Sequence, residues 1–469
     1  MSAPAPKLTE KARSLLSRGL GSRMVSGFVL VAVLTVVSKA VSFVKDAAVA
    51  RQFGISDELD AFMFSFGLLT FIAALIGGGL PEAFLPLYAE VTHLKDARRA
   101  RRLAVQSSVL HVLSLATIAV VIWCIAPQIV EWTTRGFSHE KQALAVTLLR
   151  TLLPFMVCFG LSYQLGTWLR ADKHFAVASS SPMIVPLTII VWLIMDREQP
   201  SANTLVNGTV VGAALHLLVL SSVLWKRDGL TPAFLVGCLR GWEPELRGVI
   251  RNSLPFLFAG AIFSSAVVVD QTMASWLEAG SVAVLGYTDK VCGIILAVTV
   301  APSCDVLFPY FADKVARRDW AGVKHQLFTS AGIILSAALP AALLLCWLAP
   351  WVIALLFERG SFTPEDTQRV AAVLRFAALQ IPFYILGSLA SRVVVAMQAT
   401  NFIIVLSFIG LVGNAALNWL LMQQMGAAGI ALATVIVQMI SATLACLYVL
   451  RQIGYRIAAS TSDSVTPPT

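Results

Sequence analysis

The chain has 469 residues, of which 57% are hydrophobic and only 13% are charged, and its mean hydropathy is +0.79. Soluble domains are about 25% charged, so this composition excludes a soluble enzyme on one anchor, and it excludes disorder beyond the tails. The net charge of +9 does not point to nucleic acid, and no nucleic-acid partner is expected, because Lys and Arg collect in the cytoplasmic loops of membrane proteins.

Apolar runs occur at 24–44, 59–91, 103–131, 143–169, 175–195, 204–225, 252–275, 282–312, 325–357, 370–396, 402–422 and 429–450. A spanning helix needs about 20 apolar residues. The twelve runs therefore predict an all-α integral membrane protein with about twelve transmembrane helices. Several exceed the spanning length, and Pro81, Pro154, Pro186, Pro255, Pro340 and Pro382 lie in or near them, which predicts tilts and kinks. The first run follows a basic tail and contains Lys39, so it reads as a retained span and not a cleaved signal.

With a cytoplasmic N-terminus, the inner segments carry 23 Lys and Arg and the outer ones 6. That bias predicts N-terminus and C-terminus both cytoplasmic, with an even number of spans. The longest polar interruption, 226–251, follows six spans and precedes six. The expected organisation is a basic cytoplasmic tail 1–23, a six-helix lobe 24–225, a cytoplasmic linker 226–251, a six-helix lobe 252–450 and a cytoplasmic tail 451–469, with the lobes around a central cavity. A weak repeat agrees: Leu153-Pro154-Phe155 opens the fourth span of one half and Ile381-Pro382-Phe383 the fourth of the other. Paired repeats place transporter substrates between the halves.

Ionisable groups inside spans are functional candidates. Lys39, Lys45 and Asp46 lie in the first span, Asp60 and Glu82 at the flanks of the second, Asp270 in the seventh, and Asp289, Lys290 and Asp305 in the eighth. Lys39, Lys45 and Lys290, drawn from both halves, predict a cationic cavity suited to phosphate or diphosphate. Asp270, Asn414, Asn418 and Thr434 form a hard-oxygen set. It suits Na+, or a proton at Asp270, or plain inter-helix hydrogen bonding. The seven cysteines form no CxxC pair and read as small buried hydrophobes. No P-loop or HExxH motif is present, so no enzyme activity is expected.

One stretch is distinctive: Ser38, Lys39, Phe43, Lys45, Asp46, Arg51, Phe53 and Gly54, followed by Leu59-Asp60-Ala61-Phe62 and Glu82-Ala83-Phe84-Leu85-Pro86. It resembles the N-terminal signature of the MviN/MurJ family, lipid-linked glycan flippases of the multidrug/oligosaccharidyl-lipid/polysaccharide exporter superfamily. Tyr287-Thr288-Asp289-Lys290, Glu358-Arg359-Gly360-Ser361-Phe362-Thr363 and the 426–434 segment agree. The resemblance implies a transporter of the bacterial inner membrane, working by alternating access. Its cargo would be an undecaprenyl-diphosphate-linked glycan: an exopolysaccharide or O-antigen repeat unit, or lipid II.

By the same resemblance Lys39 and Lys45 match two cavity arginines, Asp46 and Asp60 match acidic cavity positions, and Asp289 and Lys290 match an Asp-Arg pair. Asp270, Asn414, Asn418 and Thr434 match a sodium site, with Asn418 in place of an aspartate. No resident cofactor is expected, only coupling to Na+ or protons. Partners would be membrane lipids and cell-envelope glycosyltransferases or polymerases. There are departures: Ala73, Ala74 and Gly78 stand where the family has two arginines and a glutamate, lysines replace the matched arginines, and members usually have two further spans. A multidrug or cation antiporter of the same superfamily, or a transport-inactive scaffold, are the alternatives.

Overall fold

The structure is a computed structural model that describes residues 33–94, 96–229 and 231–463. The expected tail 1–23, the start of the first apolar run, the side chain of Asp305 and the last six residues lie outside the described residues. Among the described residues there is no strand; sixteen α-helices follow one another.

Helix α1 covers 33–53. It is followed by α2 (Asp57–Leu94), α3 (Ala97–Thr133), α4 (His139–Thr151), α5 (Leu153–Ala171), α6 (Phe175–Ser180), α7 (Ile184–Met195) and α8 (Ala202–Asp228). The second half holds α9 (Pro232–Leu239), α10 (Glu245–Ala274), α11 (Ser281–Ala316), α12 (Trp320–Phe357), α13 (Pro364–Ala377), α14 (Gln380–Ala396), α15 (Thr400–Met425) and α16 (Ala427–Asp463). Eight helices or helix pairs are long and apolar enough to cross a membrane, and the bent pair α4 and α5 makes a ninth. Helices α10 and α11 include residues whose side chains lie outside the described set. Each of the twelve apolar runs thus has a helix or helix pair.

Prolines set the breaks. Pro154 sits in the first turn of α5, where its missing N–H costs nothing, and α4 meets α5 at 42°. Pro382 opens α14 in the same way, after the short helix α13, so the two Pro-Phe segments share a helix-break-helix form. Two other starts are capped by side chains: Ser138 accepts from the Lys141 N–H, and Thr363 and Asp366 form a capping box on α13. The outward faces are apolar. Trp132, Trp347 and Trp351 are 73%, 74% and 74% exposed, as expected of side chains that face lipid or its boundary.

Contacts separate the ends of the bundle. At one end Asp57 pairs with Lys141, Glu58 accepts from the Ala202 N–H, and Ser361 donates its N–H to the Arg51 carbonyl. At the other, Asp172 pairs with Arg227 and accepts from Tyr88, while Arg99 pairs with Glu243. Helices α2 to α8 pack chiefly among themselves, as do α11 to α16. Helix α10 is different, because it lies along α2 for most of their shared length. A Cβ on Gly79 would come within 2.6 Å of the Leu257 side chain, so a larger residue there would push that side chain aside.

The expected linker 226–251 is largely helical: it takes in the end of α8, all of α9 and the start of α10. Helix α3 clasps it. The fully buried Gln106 donates to the carbonyls of Cys238 and Gly241 at 2.7 and 2.6 Å and accepts from the Glu243 N–H at 2.9 Å. These bonds satisfy backbone groups that a buried loop would otherwise leave open.

Candidate functional site

The first half presents Lys45 and Asp46 from α1, and the second presents Lys290 from α11. The structure brings these three together. One oxygen of Asp46, Oδ1, accepts from the Lys290 ammonium at 2.8 Å and from Lys45 as well. Asp46 is buried and the two lysine side chains are about one quarter exposed. A single carboxylate therefore holds two ammonium groups from opposite halves, and the trio carries a net positive charge. In a medium poorer than water that excess charge is a standing attraction for an anion.

Asp289 adjoins Lys290 and is exposed, although its helix is otherwise well packed at this level. Lys39 is also exposed, about 9 Å along α1 from Lys45 by helical rise. Among the described residues neither has an ion-pair partner, so the structure does not tie them into the trio.

Asp60 goes elsewhere. The sequence grouped it with the cavity lysines, but it is 1% exposed and fully engaged at the end of the bundle near residue 54. Its Oδ1 accepts from the Ala283 N–H at 2.7 Å, and its Oδ2 from the Gly280 N–H at 2.6 Å and from Lys141 at 2.7 Å. Gly280 is the N-cap of α11 and Ala283 lies in its first turn, so a carboxylate of the first half caps a helix of the second. The attraction is that of any anion for a helix N-terminus. Here it joins two elements that must separate if this end opens.

Further contacts surround this cap. The Ser275 hydroxyl and the Trp276 indole both donate to the Thr133 carbonyl, at 3.0 and 2.7 Å. Tyr287 donates to the Gly54 carbonyl at 3.3 Å. A Cβ on Gly54, at φ +55°, would lie 2.4 Å from the Ser361 carbonyl, so only glycine permits the turn and the approach together. Just beneath, Phe43, Tyr287, Phe357 and Phe362 form an aromatic cluster with ring separations of 5.0–6.0 Å. Lys290 stands 5.0 Å from the Tyr287 ring, one helical turn away. The charged trio is thus joined to the seal through one buried tyrosine.

The four oxygen-bearing residues of the second constellation do converge. Asn418 donates from Nδ2 to Asp270 at 2.6 Å and to Asn414 at 2.7 Å. The Thr434 hydroxyl donates to the Ile430 carbonyl at 3.2 Å and lies close to Asp270. Asn418 Oδ1 is buried with no hydrogen-bond partner. That orphan oxygen tests the fit to Na+. One carboxylate and three neutral oxygens make a hard, singly charged donor set, as a small monovalent cation requires. A cation between Asp270 and Asn414 would take the place of the Asn418 amide nitrogen, and the orphan oxygen could then turn toward it. Among the described residues no three His, Cys, Asp or Glu side chains gather at one point, so nothing here resembles a site for a softer metal.

Sequence reasoning passed over Lys141 and the aromatic cluster. Lys141 did leave a signal: it is a lysine in a segment assigned to the outside, against the charge bias, facing the only acidic run there, Asp57-Glu58-Leu59-Asp60. The aromatics gave none, because phenylalanine at helical spacing reads as ordinary packing.

Comparison with known proteins bears on this geometry. The family model described as lipid II flippase MurJ matches residues 49–466. A relative named probable lipid II flippase MurJ, from Rickettsia prowazekii (strain Madrid E), is 24% identical over 413 residues, covering 87% of this chain and 80% of the relative. Among solved structures, a lipid II flippase MurJ in an inward closed conformation superposes with a TM-score of 0.77 at 21% identity, covering 91% of this chain and 87% of that one. An inward-facing multidrug resistance MATE family transporter gives 0.78 at 16% identity, covering 90% and 96%.

Proposed function

Because the chain belongs to the lipid II flippase MurJ family, multi-pass membrane transporters and not enzymes, we propose that its cargo is a polyprenyl-diphosphate-linked glycan gripped by Lys45 and Lys290. The observation that carries this reading is that one oxygen of Asp46 pairs with Lys45 of its own half and with Lys290 of the other. The fold is shared with multidrug transporters and so does not choose the cargo; the excess of positive charge at the half-to-half contact favours a phosphorylated one.

In this mechanism Asp46 is a placeholder. A diphosphate offers several oxygens and more charge than one carboxylate, so it competes for both lysines. Once they turn to it, Asp46 is left buried beside an anion, which is unfavourable in this conformation. Relief comes from moving the halves, and with them Lys290, Tyr287 and the seal above. Binding then shifts the equilibrium because the ligand interacts differently with the two states. The sealed end is the periplasmic one if the 23-to-6 charge bias sets orientation, so the described state receives cargo from the cytoplasmic leaflet. Lys39 lies on the cytoplasmic side of the trio and would meet the headgroup first; Asp289 offsets one positive charge, and with Lys39 the chamber stays net positive.

The glycan is either lipid II or another repeat unit on the same carrier. Depleting the protein and identifying the lipid-linked intermediate left on the inner leaflet decides between them. Accumulation of a diphosphate-linked glycan is the expected result, and no accumulation of any such lipid would reject the flippase reading for this chain.

For the coupling ion, Asp270, Asn414, Asn418 and Thr434 would hold Na+, whose binding supplies energy to reset the halves. Asp270→Asn removes the only charge of the set. Transport by the variant in vesicles is expected to lose its dependence on a sodium gradient. If that dependence is unchanged, the ion binds elsewhere.

A further inference from the structure

A second cationic feature lies outside the trio and the seal. A cavity of about 510 Å³ opens between the end of α1, the end of α7 and the loop after α12. Arg51 and Arg197 line it. Both are exposed, and among the described residues neither has an ion-pair partner. The opposite wall is apolar, made by Ile190, Leu193 and Ile194. Ile194 and its neighbour Met195 are 67% and 75% exposed, so this wall continues onto the outer face of the bundle.

Gln52 adds a polar point. Its Nε2 donates to the Leu193 carbonyl at 2.7 Å, and its Oε1 is buried without a partner. Ser361, from the other half, completes the rim. Two guanidinium groups that only reached for water would have no reason to share one cavity. Here they share one beside a hydrocarbon-like wall, which is the pairing that an amphiphile with an anionic head presents. Guanidinium binds phosphate in a two-pronged manner. The volume is in the range of small-ligand sites.

We infer that this cavity binds the phosphodiester headgroup of an anionic phospholipid, held by Arg51 and Arg197, with an acyl chain along Ile190 and Ile194. The site is separate from the cargo lysines and does not depend on what they carry. Because Ser361 comes from the half opposite to both arginines, the lipid sits across the seam of the sealed end.

The test uses the full-length protein in detergent and native mass spectrometry with three probes: dioctanoyl phosphatidylglycerol, dioctanoyl phosphatidylcholine and inorganic phosphate. Phosphatidylglycerol is expected to bind the parent protein, and about 10-fold more weakly to the double variant Arg51→Gln and Arg197→Gln, the combined loss of two solvent-screened charge-assisted contacts. Arg197→Gln alone, in the exposed turn after α7, should give part of that loss and leaves helix packing intact if the double variant fails to fold. Equal binding of phosphatidylglycerol by parent and Arg197→Gln overturns the site. Phosphatidylcholine binding as tightly as phosphatidylglycerol overturns the charge selection. Inorganic phosphate binding as tightly overturns the lipid assignment.

Discussion

Lys290→Ala is expected to reduce translocation of the lipid-linked glycan about 30-fold or more while the protein stays inserted and folded. Truncating one member of a buried, hydrogen-bonded charge pair costs about 2–5 kcal/mol, and each 1.4 kcal/mol is tenfold. The lysine is the second half's contribution to the trio. Without it a diphosphate could be held by Lys45 alone, and nothing would link cargo binding to movement of the halves. Lys45→Ala should be similarly damaging, for the converse reason. Lys290→Arg should recover much of the activity, since the charge is kept. Glycan export measured in a strain dependent on the variant separates these outcomes, and normal export by both alanine variants would remove the lysine pair from the cargo site.

The second large effect is expected at Asp60. Its two oxygens accept three hydrogen bonds, from two α11 N–H groups and from Lys141. Asparagine keeps one acceptor and turns an NH2 group toward donors. Breaking one member of a buried ion pair costs about 3–5 kcal/mol, and a shift of about 5.5 kcal/mol takes a two-state equilibrium from 1:99 to 99:1. Asp60→Asn should therefore move most molecules out of the sealed state. Spin labels at the exposed positions Glu198→Cys and Glu365→Cys, in a Cys124→Ser background, read the width of that end. A longer distance population is expected. A distribution equal to the parent's would show that this cap does not hold the end closed. Adding Lys141→Met should return part of the short population, because the ammonium left without its carboxylate is then gone.

Much of this molecule was legible one residue at a time. Apolar runs of spanning length, prolines at their starts and basic residues on alternate loops gave the helical membrane fold, because the bilayer acts on each segment separately: every span must bury its own backbone and be apolar on its own. Lys45, Asp46 and Lys290 stood out for the same reason, as charges that a lipid-facing helix would not tolerate. The oxygen cluster around Asp270 was likewise visible, since i,i+4 spacing on α15 places Asn414 and Asn418 on one face.

What each charge does was decided by which elements meet. Asp46 and Asp60 are the same residue type, fourteen positions apart in neighbouring segments, and both read as acidic groups of one cavity. Folding gives Asp46 two lysines and gives Asp60 the N-terminus of α11 and Lys141. The difference arises because α1 ends at the glycine turn of residue 54, so α2 starts at the extremity of the bundle and carries Asp60 there, while Asp46 remains two turns inside. Apart from the neighbouring Lys45–Asp46 contact, these ion pairs join residues 81 and 244 positions apart. Composition and spacing report what a segment can tolerate; beyond the neighbouring Lys45, the groups that satisfy Asp46 and Asp60 meet them only once the helices are packed, because they come from segments far away in sequence.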